Sequence, residues 1–360
     1  MNTTYKKEFF LGSNTRHGFF PLFGQLQSAG PDFKLFILKG GPGSGKSTLM
    51  KRVAARMEEL GDELEYIPCA SDPDSLDALI DHDAQLAIVD GTAPHVMDPR
   101  YPGVCETLLN AGDAWDETML AADGAHIMEL SMAISLCHSR ATAYIAAAAS
   151  LLESNRVVAE NYVDRDMINT IVRNFFDGMQ PTGTMGIERK RLLSAVSVGR
   201  TVFFSETLMA VCPRLFAIPD EYGAASHALL TCLRTVALAL GQDVISCCCS
   251  VLGQDKLEHL LLPSIGVGFT TANSFHSIIG GAAAVIAAPM FQLPQAVDAA
   301  AMQQQLIMAK LLIAEAEKQV AKAKQLHDEL EAFYIKAMDF SKIEPMFERI
   351  IAQAIERRER

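Results

Sequence analysis

The chain lacks an excess of basic residues: 31 Lys and Arg stand against 43 Asp and Glu, a formal net charge of −12. That balance argues against nucleic acid as a general partner, because phosphate backbones need a basic face, and leaves room only for a local basic patch. The eight cysteines (69, 105, 137, 212, 232, 247, 248 and 249) form no C-x-x-C pair and no His/Cys spacing typical of zinc. With no leading apolar segment and cleavage site, they read as reduced thiols of a cytoplasmic protein. The run Cys247-Cys248-Cys249 reads as small apolar residues of a buried strand rather than a metal or redox centre. Long hydrophobic runs are also missing. The most apolar window, Ile278 to Phe291, is too short to span a bilayer and is broken by Gly280, Gly281 and Pro289, so no membrane span is expected.

What is present is apolar content (49% of 360 residues) sufficient to bury a core in each of two domains. Phe33-Lys-Leu-Phe-Ile-Leu-Lys39 has the pattern of a buried parallel strand. It runs into Gly40-Gly-Pro-Gly-Ser-Gly-Lys-Ser47, a complete G-x-x-x-x-G-K-[ST] loop. Leu49, Val53, Met57 and Leu60 then recur at helical spacing up to Gly61, which stands where a helix C-cap belongs. Gly40, Gly41, Gly43 and Gly45 lack Cβ atoms, so the loop can curl with its amide hydrogens inward and seat a triphosphate at a helix N-terminus. Pro42, Ser44 and Thr48 complete the stretch; Lys46 is expected to reach the β- and γ-phosphates and Ser47 to hold Mg²⁺.

The chain also repeats itself: laid over itself at a shift of 180 residues, its second half retraces much of the first. Lys34 to Leu38 falls on Arg214 to Ile218, Leu60-Gly61 on Leu240-Gly241, and Cys69 on Cys249. With a slip of one residue, Asp74-Ser-Leu-Asp-Ala-Leu meets Asp255-Lys-Leu-Glu-His-Leu; farther on, Ala87-Ile-Val meets Gly266-Val-Gly and Ala93 meets Ala272. The second loop reads Asp220-Glu-Tyr-Gly-Ala-Ala-Ser-His227, with two acids where phosphates would sit, Ser226 for the lysine, and side chains on Ala224 and Ala225. It is expected to bind no triphosphate in the manner of the first. The Ala-rich stretch Met128 to Met179 and its counterpart Ala296 to Glu359 predict an antiparallel helical hairpin attached to each copy, with a long solvated coiled coil as the alternative for 296–333.

A second carboxylate is needed near the loop, and Leu86-Ala-Ile-Val-Asp90 has the shape of a Walker B strand. Gly91 follows Asp90 where fast motor ATPases carry glutamate, and no N-K-x-D appears, which disfavours rapid hydrolysis and GTPase-type base readout. His95, just beyond the strand, can sense a γ-phosphate, touch a substrate or be structural. Ser71-Asp-Pro-Asp-Ser-Leu-Asp77 offers Asp72 and Asp74 as acceptor-binding or basic groups, and equally reads as the capped start of a helix. Arg16, Arg100 and Arg165 are conceivable arginine fingers, none assignable from sequence.

The stretches 36–51, 71–80, 88–103 and 321–340 resemble a poorly characterised bacterial family, chiefly from Firmicutes, of tandem P-loop ATPase-like proteins. The resemblance spans nearly the whole chain, including Gly12 to Gly18. In that family both halves usually carry a P-loop followed by D-P-D-S-L-D and T-A-P-H signatures. The resemblance implies a nucleotide site at Gly40 to Thr48 with Asp90, and favours roles for Asp72, Asp74 and His95. Asp220 to His227 and Phe269 to Phe275 depart from that pattern. The expectation is therefore an α/β protein of two P-loop-type units, 1–190 and 191–360, each a parallel sheet flanked by helices with a helical hairpin appended. Its expected function is Mg²⁺-dependent ATP binding with slow ATPase activity at the first loop only. A kinase-type phosphotransferase and a non-enzymatic nucleotide switch that presents its helices to a protein partner, or to another copy of itself, are the alternatives.

Overall fold

In the computed structural model, which describes residues 5–278, 283–286, 290–295 and 297–359, the chain passes twice through one order of elements. The first pass comprises β1 (Lys7–Glu8), the hairpin β2 (Gly12–Thr15) and β3 (Gly18–Pro21), β4 (Lys34–Lys39), α1 (Lys46–Glu59), β5 (Leu64–Cys69), β6 (Asp72–Asp81), β7 (Leu86–Asp90) and β8 (Glu106–Asn110). Helices α2 (Glu117–Ala122), α3 (Gly124–Glu160) and α4 (Arg165–Phe175) follow. The second pass has β9 (Glu188–Arg191), the hairpin β10 (Ser194–Val196) and β11 (Thr201–Phe203), α5 (Ser205–Val211), β12 (Arg214–Pro219) and α6 (Ala224–Ala239). It continues with β13 (Val244–Cys249), β14 (Gly253–Leu262), β15 (Val267–Ala272), β16 (Ala283–Val285), α7 (Ala299–Ala337) and α8 (Glu344–Arg358).

The sheets have equivalent orders, β1-β5-β6-β7-β4-β8 and β9-β13-β14-β15-β12-β16, which makes the duplication structural as well as textual. Each is mixed rather than parallel throughout: β6 runs against β5 and β7, and β14 against β13 and β15. This corrects the expected parallel sheets and the helix start at Ser71 to Asp77. Those residues cap no helix, because Leu76 and Ala78 to Ile80 are buried between two partner strands and are satisfied only as a central strand. The pairing carries the slip seen at Asp74 and Asp255 through the later strands, and corrects the expected match of Ala87 with Gly266: Ala87 faces Leu35 as Gly268 faces Leu215. Phe36 faces Ile88 as Phe216 faces Phe269, so the place of Asp90 is taken by Thr271.

The expected hairpin within each half is likewise replaced. Helices α3 and α7, about 56 and 58 Å long at 1.5 Å per residue, pair antiparallel with each other across the two halves. His126 meets the Phe333 ring at one end, and Asn155 donates to the Met302 carbonyl at 2.8 Å near the other. Between them Ala141, Ile145, Ala148 and Ala149 interlock with Ala309, Ile313, Ala316 and Val320, small residues that let the helices approach closely.

The short helices after this pair change sides. Ile168, Val172 and Phe176 at α4 join the core of the second sheet with Leu229, Leu230 and Leu233 of α6. Ile350, Ile351 and Ala354 of α8 cover the first sheet beside Met50, Val53 and Met57 of α1. The faces that meet are continuous: Phe9 to Leu11 and Ile37 share one core with Leu192, Leu193 and Leu215. Phe10 and Leu192 exchange backbone hydrogen bonds at 2.8 and 3.0 Å. Beside them the Arg191 guanidinium forks onto the buried Glu65 carboxylate.

Of the apolar window Ile278 to Phe291, residues 279–282 and 287–289 lie outside those described. No helix among the described residues is long and apolar enough to cross a membrane. Among the described residues, which include all eight cysteines, no disulfide forms; Cys247, Cys248 and Cys249 are buried in β13, as expected of strand residues.

Candidate functional site

The glycine-rich loop leaves the C-terminal end of central strand β4, next to β7 on one side and β8 on the other. Gly43 and Gly45 take left-handed conformations at φ +64° and +82°, and Gly45 is the N-cap from which α1 departs. These two positions need glycine, since an L side chain is strained there. Gly45 has no side-chain cap, so the N-terminus of α1 keeps its positive dipole end uncompensated by an acid in the first turn.

Three of the expected site residues converge here. Lys46 Nζ lies 3.5 Å from Asp90 Oδ2 and donates to the carbonyls of Gly40 and Gly41 at 2.7 and 2.8 Å. Asp90 is the last residue of β7, and its Oδ1 accepts from the Thr92 amide at 2.9 Å and from the Thr92 hydroxyl at 2.5 Å. Ser47 Oγ accepts the Leu76 amide hydrogen at 3.0 Å, tying the start of α1 to β6. Ser47 and Asp90 are hard oxygen donors of the kind Mg²⁺ prefers, and Asp90 keeps Oδ2 turned toward the loop.

His95 is present, with a partner that sequence reasoning missed. Its Nε2 lies 3.3 Å from Asp77 Oδ1, both groups being buried, and its ring packs on Phe19 and Phe23. Burial opposes the imidazolium, but the hydrogen bond and charge of Asp77, with Asp90 behind them, hold the His95 pKa above its ordinary value. Asp77 sits one residue beyond the Ala78–Val89 pair, so β6 delivers it beside Asp90.

The pair recurs in the second unit as Glu258 and His276, 4.0 Å apart and in the same slipped register as Thr271. There Lys256 pairs with Glu258 at 2.6 Å, and burial holds the His276 pKa below normal. The slipped register, carried on past Phe275, would have found it. That second contact is not a hydrogen bond: Glu258 Oε2 and His276 Nδ1 have no hydrogen-bond partner among the described residues, and His276 Nε2 meets the Ser194 hydroxyl at 3.0 Å instead.

Asp72 and Asp74 do not converge on the loop. Asp72 accepts from Ser75 at 2.8 Å and faces Lys324 of α7 at 3.5 Å, while Asp74 is exposed and its carbonyl accepts from Lys51. Arg16 turns to the Leu252 carbonyl and Glu153, Arg165 pairs with Glu160, and Arg100 is exposed.

The second loop is closed by its own residue. Asp220, in the place of Gly40, accepts from the amides of Tyr222 and Gly223 at 3.2 and 2.9 Å and from that of Ser226 at 2.8 Å. With Ala225 in place of Gly45, the chain turns helical directly after Gly223, two residues early. His227 Nδ1 takes over the role of Ser47, accepting the Leu257 amide at 3.1 Å.

A part of the first site unforeseen from sequence comes from the second half. The end of α7 lies over the loop: Glu331 Oε1 accepts the Gly43 amide at 3.1 Å, and Tyr334, packed against Trp115, stands over Gly41. Compared with known proteins, the chain matches no protein-family model, no curated protein sequence and no solved structure.

Proposed function

We propose that the chain binds a nucleoside triphosphate, ATP by the family resemblance, at Gly40 to Thr48, and hydrolyses it slowly with Mg²⁺. The observation that carries this reading is the convergence at one sheet edge of the left-handed Gly43 and Gly45, the α1 N-terminus, Lys46 and Asp90. Phosphates are favoured there by the loop amides and the helix dipole. On binding, Lys46 exchanges the loop carbonyls for phosphate oxygens and neutralises their charge. Ser47 and Asp90 would hold Mg²⁺, which supplies further charge neutralisation on the phosphates. The Asp90-Gly91 strand end offers no adjacent glutamate to orient water, in keeping with a low turnover.

A second reading, a nucleotide-dependent switch, is favoured by the contact of α7 with the loop, since that helix belongs to the other half of the chain. The phosphotransferase reading has less support, with Asp72 engaged by Ser75 and Lys324. Calorimetry with Mg-ATP and measurement of phosphate release test the proposal. Saturable binding with slow release, both lost in Lys46→Ala, is the expected result. Binding without release leaves the switch, and absence of binding overturns both.

A further inference from the structure

Both loops present the same amide to a carboxylate. Gly223 N donates to Asp220 at 2.9 Å, and its counterpart Gly43 N donates to Glu331 at 3.1 Å. The two carboxylates differ in how they are held. Asp220 is buried and belongs to the loop it closes, so it has nowhere to go. Glu331 comes from α7, and its side chain is one-third exposed.

The rest of the α7 end is laid on the first loop in the same way. A Cβ on Gly43 would come within 2.8 Å of Ile335 and 3.0 Å of the Glu331 carbonyl, and one on Gly41 within 3.2 Å of both Tyr334 and Trp115. Phe340, just past the helix, lies over Gly45. Backbone hydrogen bonds from Asp116 to Ala337 and from Asp339 to Ala114, at 2.8 and 2.9 Å, set this end in place. Lys324, one helical stretch earlier, tethers the same face to Asp72 at 3.5 Å.

An amide that points into a phosphate-binding loop is a donor for one anion at a time. We infer that Glu331 is a displaceable plug: its carboxylate holds the Gly43 amide that a nucleotide phosphate requires, and binding expels it and shifts the end of α7. The inference rests on the nucleotide reading of this site and names its regulation. It makes the first site self-inhibited by a helix from the second half. Because α7 is paired along its length with α3, occupancy of the loop is transmitted to the helical pair.

Trp115 is the single tryptophan of the chain, and its ring centroid lies 5.5 Å from that of Tyr334. It therefore reports on the α7 end without labelling. The test measures the affinity of the full-length protein for Mg-ATP by calorimetry and follows Trp115 emission, in wild type, Glu331→Gln and Lys46→Ala. Glu331→Gln keeps the side-chain shape and removes the charge. Its expected affinity is about tenfold tighter, from weakening a charge-assisted hydrogen bond that competes with the ligand. Trp115 emission should shift saturably with Mg-ATP in wild type and not in Lys46→Ala. Binding by Glu331→Gln alone would also support the plug. Equal or weaker affinity in Glu331→Gln, or binding with unchanged Trp115 emission, would overturn the plug and leave the nucleotide reading intact. No binding to wild type or Glu331→Gln would remove both.

Discussion

Asp220 Oδ2 accepts the Ser226 amide at 2.8 Å, while its Oδ1 accepts from Gly223, so the second loop is closed by a side chain of its own where the first takes Glu331 from α7. Removing that carboxylate leaves three amides at the start of α6 without their acceptor. Asp220→Ala is expected to destabilise the protein by about 1–3 kcal/mol in urea unfolding, with Asp220→Asn in between. An unchanged midpoint and slope for Asp220→Ala would show that water replaces the carboxylate without cost.

His95 and Asp77 give a pH dependence with a definite sign. The folded pKa of His95 lies above its ordinary value of 6.5, so the stability drawn from the pair is complete below about pH 6.5 and is lost as pH rises through the folded value. The groups facing the imidazole are Asp77 and Asp90, with Lys46 beyond Asp90. The unfolding free energy lost on His95→Gln, the wild type minus the variant, should be largest near pH 6 and shrink as the pH rises toward 9, because the lowered His138, His227, His259 and His276 titrate alike in both proteins and cancel. The same pH-dependent difference should be absent between Asp77→Asn and the double variant Asp77→Asn/His95→Gln.

Glu65 and Arg191 join the two sheets across their shared core. Burial works to raise the Glu65 pKa, but Arg191 and His82 prevail and hold it at about 2. With its unfolded value near 4.5, the contribution is present above that pH and is lost as the pH falls toward 2. Arg191→Ala leaves the buried carboxylate with His82 as its remaining partner and should cost about 3–5 kcal/mol at neutral pH. Substituting both partners with apolar residues should recover most of the loss, as measured by a double-mutant cycle.

Ile350 of α8 is fully buried against the first sheet, although it lies at the far end of the chain. Ile350→Ala should cost about 2–5 kcal/mol. Hydrogen exchange should accelerate in α1 and β4 more than in α6 and β12. Equal acceleration in both units would mean that the shared core makes them one cooperative block.

Burial pushes the Cys247 thiol well above its normal pKa and that of Cys249 up to about 11. Both should resist alkylation at neutral pH in the native protein and react on denaturation, as read by mass spectrometry.

The strand–loop–helix at Phe33 to Gly61 was legible because its signals are local: an apolar run, glycines at forced conformations and a helical period. The duplication was legible because Leu60-Gly61 and Leu240-Gly241 keep their spacing. The reversed strand β6 was not, since Ser71-Asp-Pro-Asp reads as a helix cap until Leu76 to Ile80 are seen to need partners on both edges. Nor could the sequence disclose that α4 and α8 cross to the opposite sheets, because an amphipathic face records that it is buried and not by whom. Glu331 was invisible for the same reason: it lies 288 residues from Gly43 and shares no motif with it.

The crossing of α4 and α8 bears on how such a chain could arise. A solitary copy of the unit would leave the apolar face of its own sheet bare and carry a helix with nothing of its own to cover, so it is complete only when two copies trade helices. Fusion of that exchanged pair into one polypeptide makes the partners inseparable and removes the need for them to be identical. One descendant could then fill its loop with Asp220, while the other kept a loop closed only by Glu331 on a helix lent by its twin.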